Sequence, residues 1–162
     1  MFSQDLIDLS TQTLADARAK KLRIVTAESC TGGLVGGLLT EIEGSSDVFE
    51  RGYATYSNHA KLELLGVSGA IIRTYGAVSE ECAGAMAAGA LKNSHAHVAV
   101  AITGVAGPGG HGDKPEGYVC FATALKDAEV ITREEHFGAL GRSKVRLASV
   151  EMALNMLRER MF

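Results

Sequence analysis

Three cysteines, Cys30, Cys82 and Cys120, are too few and too irregularly spaced for a disulfide framework. No two of them form a C-x-x-C pair, which also argues against a zinc knuckle. A reducing, cytoplasmic setting fits this usage. The chain also lacks a block of one charge sign: 16 Lys and Arg are interspersed with 19 Asp and Glu, for a formal net charge of -3. No long electropositive surface for nucleic acid is implied. No apolar run approaches the roughly 20 residues that span a bilayer. MFSQDLIDLS carries acids where a secretory leader carries bases, so neither membrane insertion nor export is expected.

Glycine is in excess. There are 19 in 162 residues, where an average usage of about 7% would give about 11, and they cluster. The length and the 46% hydrophobic content suit one domain over residues 1–162, large enough to cover most of a central sheet with helices. Residues 3–20 read as an amphipathic helix, and 22–28 as a short apolar strand feeding a glycine-containing helix. A turn at 43–47 precedes strand-like VFERGYATYS. Asn58 is a candidate N-cap for a short helix over 59–65, and Ser79 caps an Ala-rich helix. Residues 97–104 form a buried-strand pattern, followed by a glycine and proline loop through Pro115. Strands near 117–125 and 129–136 and a helix over 142–161 complete the chain. This order predicts an α/β fold, a three-layer α/β/α domain with a mixed central sheet.

AESCTGG at 27–33 sets a hydroxyl residue and two glycines between a strand end and a helix start. There the backbone N–H groups of Cys30, Thr31, Gly32 and Gly33 can surround one oxyanion or phosphate oxygen. The plainer reading has Ser29 or Thr31 as a helix cap. In TYSNHAK at 55–61, Lys61 falls in the first turn of a helix, where the dipole disfavours its charge. Partial burial would depress its pKa further, leaving a neutral amine as a general base. A solvated surface lysine is the alternative. Ser29, Tyr56 and Lys61 on neighbouring strand ends make a lysine-containing variant of the hydrolytic triad. Cys30 is a rival nucleophile, ranked behind Ser29 because small buried cysteines are usually inert.

Gly107, Gly109 and Gly112 have G-x-G-x-x-G spacing, yet a strand follows them, so the dinucleotide fingerprint fails. The Walker A pattern fails too, since Gly110 and His111 stand where Lys and Ser or Thr are needed. A ligand-wrapping loop or an ordinary long turn remains. His95 with His97, and His111 with Asp113, raise metal binding, but no third ligand has diagnostic spacing and no metal site is predicted. The segment after Cys30 lacks the arginine of a cysteine phosphatase.

AESCTGGL, GSS, YATYSNHAK, LLGV, YGAVSEE, ITGVAGPGG, KPEGYV and GRSKVR stand in collinear order along nearly the whole chain. Together they resemble the CinA C-terminal domain family. Members include nicotinamide-nucleotide amidases, which convert nicotinamide mononucleotide to nicotinic acid mononucleotide and ammonia, and some are fused behind a second, larger domain. The resemblance implies that Ser29, Tyr56 and Lys61 are catalytic and that Thr31, Asn58, Thr103 and Arg142 belong to the same pocket. With the loop glycines, the expected substrate contacts are Cys30, Thr31, Gly32, Gly33, Asn58, Thr103, Gly104, Gly107 and Arg142. A homodimer and a small nucleotide substrate are implied as well, and no cofactor.

Three positions depart from the family's pattern: Arg51 for a usual glycine, Glu116 for a small apolar residue, and Gly141 for an acid. In the expected reaction Lys61, assisted by Tyr56, deprotonates Ser29 for attack on the carboxamide. Arg142 and Arg146, four apart on the last helix, would meet the phosphate. The alternative from another class is a nucleotide-sensing or partner-binding module that has the pocket but no turnover.

Overall fold

The computed structural model describes residues 1–162. Ser3 opens α1 (Gln4–Ala19) by accepting a hydrogen bond from the Leu6 amide. The chain continues through β1 (Ile24–Glu28), α2 (Leu34–Thr40), a 3-10 turn at Ser45–Asp47, β2 (Phe49–Ala54), α3 (Asn58–Leu65), α4 (Gly69–Tyr75) and α5 (Glu80–Lys92). It ends with β3 (Val98–Gly104), β4 (Tyr118–Leu125), β5 (Ile131–His136) and α6 (Arg142–Met161). The sheet order is β2-β1-β3-β4-β5. β2, β1 and β3 are parallel, and β3, β4 and β5 antiparallel. The mixed sheet and the α/β/α layering are those predicted.

Strand alternation divides the core between two faces. Ile24, Val98, Val100, Ile102 and Phe121 pack beneath α1, α2 and α6. Ala27, Ala99, Ala101, Ala122 and Ala124 meet α5, itself built from Ala83, Ala87 and Ala90. Small residues on both sides let α5 lie close to the sheet. They also bring Gly89 so near the end of α3 that a Cβ there would fall 1.8 Å from the Leu65 carbonyl oxygen.

Two local features depart from the sequence reading. Ser57, not Asn58, caps α3, its hydroxyl accepting from the Ala60 amide, so Asn58 is the first helical residue. The second is α4, a helix the sequence pattern does not announce. It holds β-branched Ile71, Ile72 and Thr74 and has no buried residue, so no apolar stripe marks it. Its legible signals are only its ends, the cap at Ser68, which accepts from Ile71 N, and Gly76 at its close.

The polypeptide leaves β1 toward α2 on one face and leaves β2 toward α3 on the other. Such a divergence opens a crevice at the carboxyl ends of adjacent parallel strands.

Candidate active site

Ser29 sits in that crevice. Its amide donates to the Ile102 carbonyl at 2.9 Å, extending the β1–β3 ladder one residue beyond the strand. The buried carboxylate of Glu28, the residue before it, turns back toward α2 and accepts from Gly33 N (3.1 Å), Val35 N (3.1 Å) and Gly36 N (2.9 Å). An anion bonded to several free amides at a helix start is favourably placed. On the far side, Arg146 donates to the carbonyls of Cys30 and Thr31, both at 3.1 Å. The loop carrying Ser29 is thus fixed from both ends.

These bonds narrow the expected oxyanion donors. Gly33 N is taken by Glu28, and Gly32 N donates to the Ser29 carbonyl at 3.0 Å. Of the four amides, those of Cys30 and Thr31 remain uncommitted.

Lys61 comes from α3. Its side chain is only 2% exposed, and Nζ lies 3.0 Å from Ser29 Oγ while donating to the Thr55 carbonyl at 2.9 Å. Thr55 is held in turn by its amide bond to the Glu28 carbonyl, 2.8 Å, which continues the β1–β2 pairing. No carboxylate forms an ion pair with Lys61. Burial therefore lowers its pKa from the ordinary lysine value of 10.5, because a desolvated ammonium is disfavoured against the neutral amine. A neutral amine at hydrogen-bond distance from a hydroxyl can take its proton.

Cys30, next in sequence, has a thiol that burial pushes up to about 12. It remains a protonated thiol at physiological pH and a poor nucleophile.

Tyr56 follows β2 instead of ending it. It is 64% exposed, and its hydroxyl accepts from Arg142 Nη2 at 2.9 Å without a hydrogen bond to Ser29 or Lys61. Arg142 also donates from Nη1 to the Gly107 carbonyl at 2.8 Å. Both acceptors are uncharged groups, and no carboxylate forms an ion pair with Arg142 at the rim. Arg146 is not beside it as a second phosphate ligand, being committed to the Cys30 and Thr31 carbonyls.

The cavity over Ser29 has a volume of about 640 Å³, and its walls include Cys30, Tyr56, Asn58, Lys61, Thr103, Gly104, Gly107 and Arg142. Thr103 is buried in the wall and donates to the Ala77 carbonyl at 2.7 Å, tying down the segment after α4. The side chain of Thr31 and the residues Gly32 and Gly33 are not in this wall. Thr31 is fully buried, and Gly33 lines a separate hollow beside Glu28. Ile72 and Tyr75 of α4 do line it, and sequence reading missed them with their helix.

His111 lies in the outer loop of the cavity. His95 and His97 line a different hollow beyond the opposite end of β3, where His97 Nδ1 accepts from the Arg23 amide at 2.9 Å. Arg51 is also remote, bonded to Glu50 and to the Asn93 carbonyl. The other two departures meet in space: Glu116 Oε1 accepts from the Gly141 amide at 2.9 Å, and Oε2 from the Gly109 amide at 2.9 Å.

Residues 6–161 match the family described as CinA C-terminal domain. Nicotinamide-nucleotide amidohydrolase PncC of Enterobacter agglomerans is 46% identical over 155 residues, covering 95% of this chain and 94% of that protein. A CinA-like protein of Mycolicibacterium gilvum is 47% identical over 161 residues, 98% of this chain but 37% of its own greater length. Among solved structures, the competence/damage inducible protein CihA from Agrobacterium tumefaciens superposes with a TM-score of 0.94 at 47% identity, over 97% of this chain and 96% of that one.

Proposed function

The chain belongs to the CinA C-terminal domain family, and from that premise we propose that it is an amidohydrolase removing ammonia from the carboxamide of nicotinamide mononucleotide. Its similarity along nearly its whole length to a protein named for that activity supports the substrate. The observation that carries the chemistry is the buried contact of Lys61 Nζ with Ser29 Oγ at 3.0 Å, free of any carboxylate.

In the proposed reaction neutral Lys61 takes the proton of Ser29 as Oγ attacks the carboxamide carbon. The oxygen of that carbon becomes an oxyanion beside the uncommitted amide of Cys30, which lines the cavity. The C–N bond then breaks, the Lys61 ammonium returns its proton to the departing nitrogen, and ammonia leaves an ester of Ser29. Water, deprotonated by Lys61, attacks that ester, and as the acyl C–O bond breaks Lys61 returns the proton to Ser29 Oγ, freeing nicotinic acid mononucleotide. This acyl transfer requires neither metal nor organic cofactor. Tyr56 acts at the rim by holding Arg142, so Tyr56→Phe should cost less than loss of Lys61 and should show mainly in KM. We further propose that the chain works as one domain, in the cytoplasm and as a homodimer; no helix is long and apolar enough to cross a membrane.

Incubation of the purified protein with nicotinamide mononucleotide, with ammonia measured, tests the proposal. Ammonia at catalytic rates supports it, while saturable binding without ammonia would favour a nucleotide sensor.

Arg142 is assigned to the substrate phosphate because its guanidinium has only neutral partners. Arg142→Ala should raise KM for the nucleotide about 12- to 140-fold, the loss of about 1.5 to 3 kcal/mol of charge-assisted hydrogen bonding. Hydrolysis of nicotinamide, which lacks phosphate, should suffer at least about tenfold less. Equal losses on both substrates would place Arg142 at the reacting carboxamide instead.

A further inference from the structure

Glu116 lies just ahead of β4, and its half-buried carboxylate closes a circuit around one wall of the cavity. Oε2 accepts from Gly109 N and Oε1 from Gly141 N, each at 2.9 Å. Gly109 belongs to the cavity wall, and Gly141 is the residue from which α6 starts. Between them the carboxylate packs directly on Gly107. A Cβ on that residue would fall 2.4 Å from Glu116 Cδ, and its φ of +86° is a second reason for glycine there.

The carbonyl of Gly107 is the acceptor for Arg142 Nη1. The segment 107–109 is therefore gripped twice, by Arg142 from the α6 side and by Glu116 from the β4 side. Both grips converge on the backbone at 141–142. Glu116 and Arg142 form no ion pair with each other or with any other residue. Each charged group is hydrogen-bonded to uncharged groups, so the carboxylate is linked to the guanidinium through the backbone both hold and not by a direct ion pair.

We propose that Glu116 is a positioning residue that holds the 107–109 wall and Arg142 as one unit and so sets the affinity for the phosphate end of the substrate. The affinity half of this proposal rests on the assignment of Arg142 to phosphate; the structural half does not. Glu116 accepts from two fixed amides without reaching the Ser29–Lys61 pair, so its loss is expected in KM and not in kcat.

The test combines Glu116→Ala, Glu116→Gln, Arg142→Ala and the double Glu116→Ala, Arg142→Ala variant, assayed on nicotinamide mononucleotide. Amide hydrogen exchange at Gly109 and Gly141 is followed in the free proteins. Glu116→Ala should raise KM about tenfold with kcat within about threefold of the parent. Glu116→Gln, which keeps one acceptor oxygen, should fall between the two. With Arg142 already removed, Glu116→Ala should raise KM by less than about twofold, because the group it positions is gone.

Exchange at both glycines should quicken in Glu116→Ala. Unchanged exchange, a matching fall in kcat, or a full tenfold KM effect in the double variant would overturn the proposal. Faster exchange together with an Arg142→Ala variant of unaltered KM would overturn the phosphate assignment, and with it the affinity half, while upholding the hold of Glu116 on the 107–109 wall.

Discussion

Ser29→Ala abolishes amide hydrolysis, by about 10⁴-fold or more in kcat, with the fold retained, while Cys30→Ala keeps kcat within about threefold of the parent. The contrast follows from what each residue supplies. Ser29 contributes the only hydroxyl that Lys61 Nζ reaches. Cys30 contributes its backbone amide, which alanine preserves, and a thiol that burial holds near 12 and so out of thiolate chemistry. Steady-state ammonia release, with circular dichroism to establish folding, reads the comparison. Should a folded Cys30→Ala be as inactive as Ser29→Ala, the nucleophile would have to move by one residue.

Lys61→Met and Lys61→Arg should each lose at least about a hundredfold in kcat, the lower range for removing a general base, since arginine does not deprotonate near neutral pH. In the parent, kcat/KM should rise with pH through the lowered pKa of Lys61, a limb that both variants lose. Near-normal kcat in Lys61→Arg would show that the position supplies charge and not proton transfer.

The same burial makes a stability prediction of opposite sign. Below its lowered pKa the folded protein must hold a desolvated ammonium. Between that pKa and 10.5 it binds fewer protons than the unfolded chain, so the parent gains stability as pH rises across this window. Lys61→Met removes the charge at similar volume and gives up the bond to Thr55 O, for a net gain of about 1 kcal/mol near neutral pH. The gain should shrink as pH rises toward 10.5. Urea unfolding at neutral and alkaline pH measures it, and a variant less stable than the parent at neutral pH would refute the account of a strained amine.

The sequence carried the parts of this site that depend on neighbours along the chain. A strand ending at Glu28, a hydroxyl before two glycines, and a lysine in the first turn of a helix are all local signals, and each led to a residue now found in or beside the cavity. The long helix over 142–161 was equally plain from its apolar spacing. Partnerships across the fold were not legible. Tyr56 and Arg142 are 86 residues apart, and nothing in either segment says that they bond to each other. Arg146 looked like a second phosphate ligand because helical periodicity gives its face but not what the tertiary fold places opposite, here the carbonyls of Cys30 and Thr31. Glu28 reads as the polar end of a strand, and its fully buried position is decided by the path of α2. Helix α4, with neither a buried stripe nor strong intrinsic propensity, left two residues of the cavity wall unread.

Glu28 also bears on how the protein should fail under heat. The loop bearing Ser29 is joined to the centre of the sheet through Ile102, to α2 through the Glu28 carboxylate, and to α6 through Arg146. Fraying it alone would strand the Glu28 carboxylate and several amides, at a cost of about 1 to 3 kcal/mol for each unsatisfied group. The loop bearing Ser29 should therefore open together with the elements that hold it, while α4, which has no buried residue, should open more readily. On slow heating, hydrolysis should vanish in the same transition as the helical signal, with no inactive but folded plateau before it, and activity should return in step with the fold on cooling.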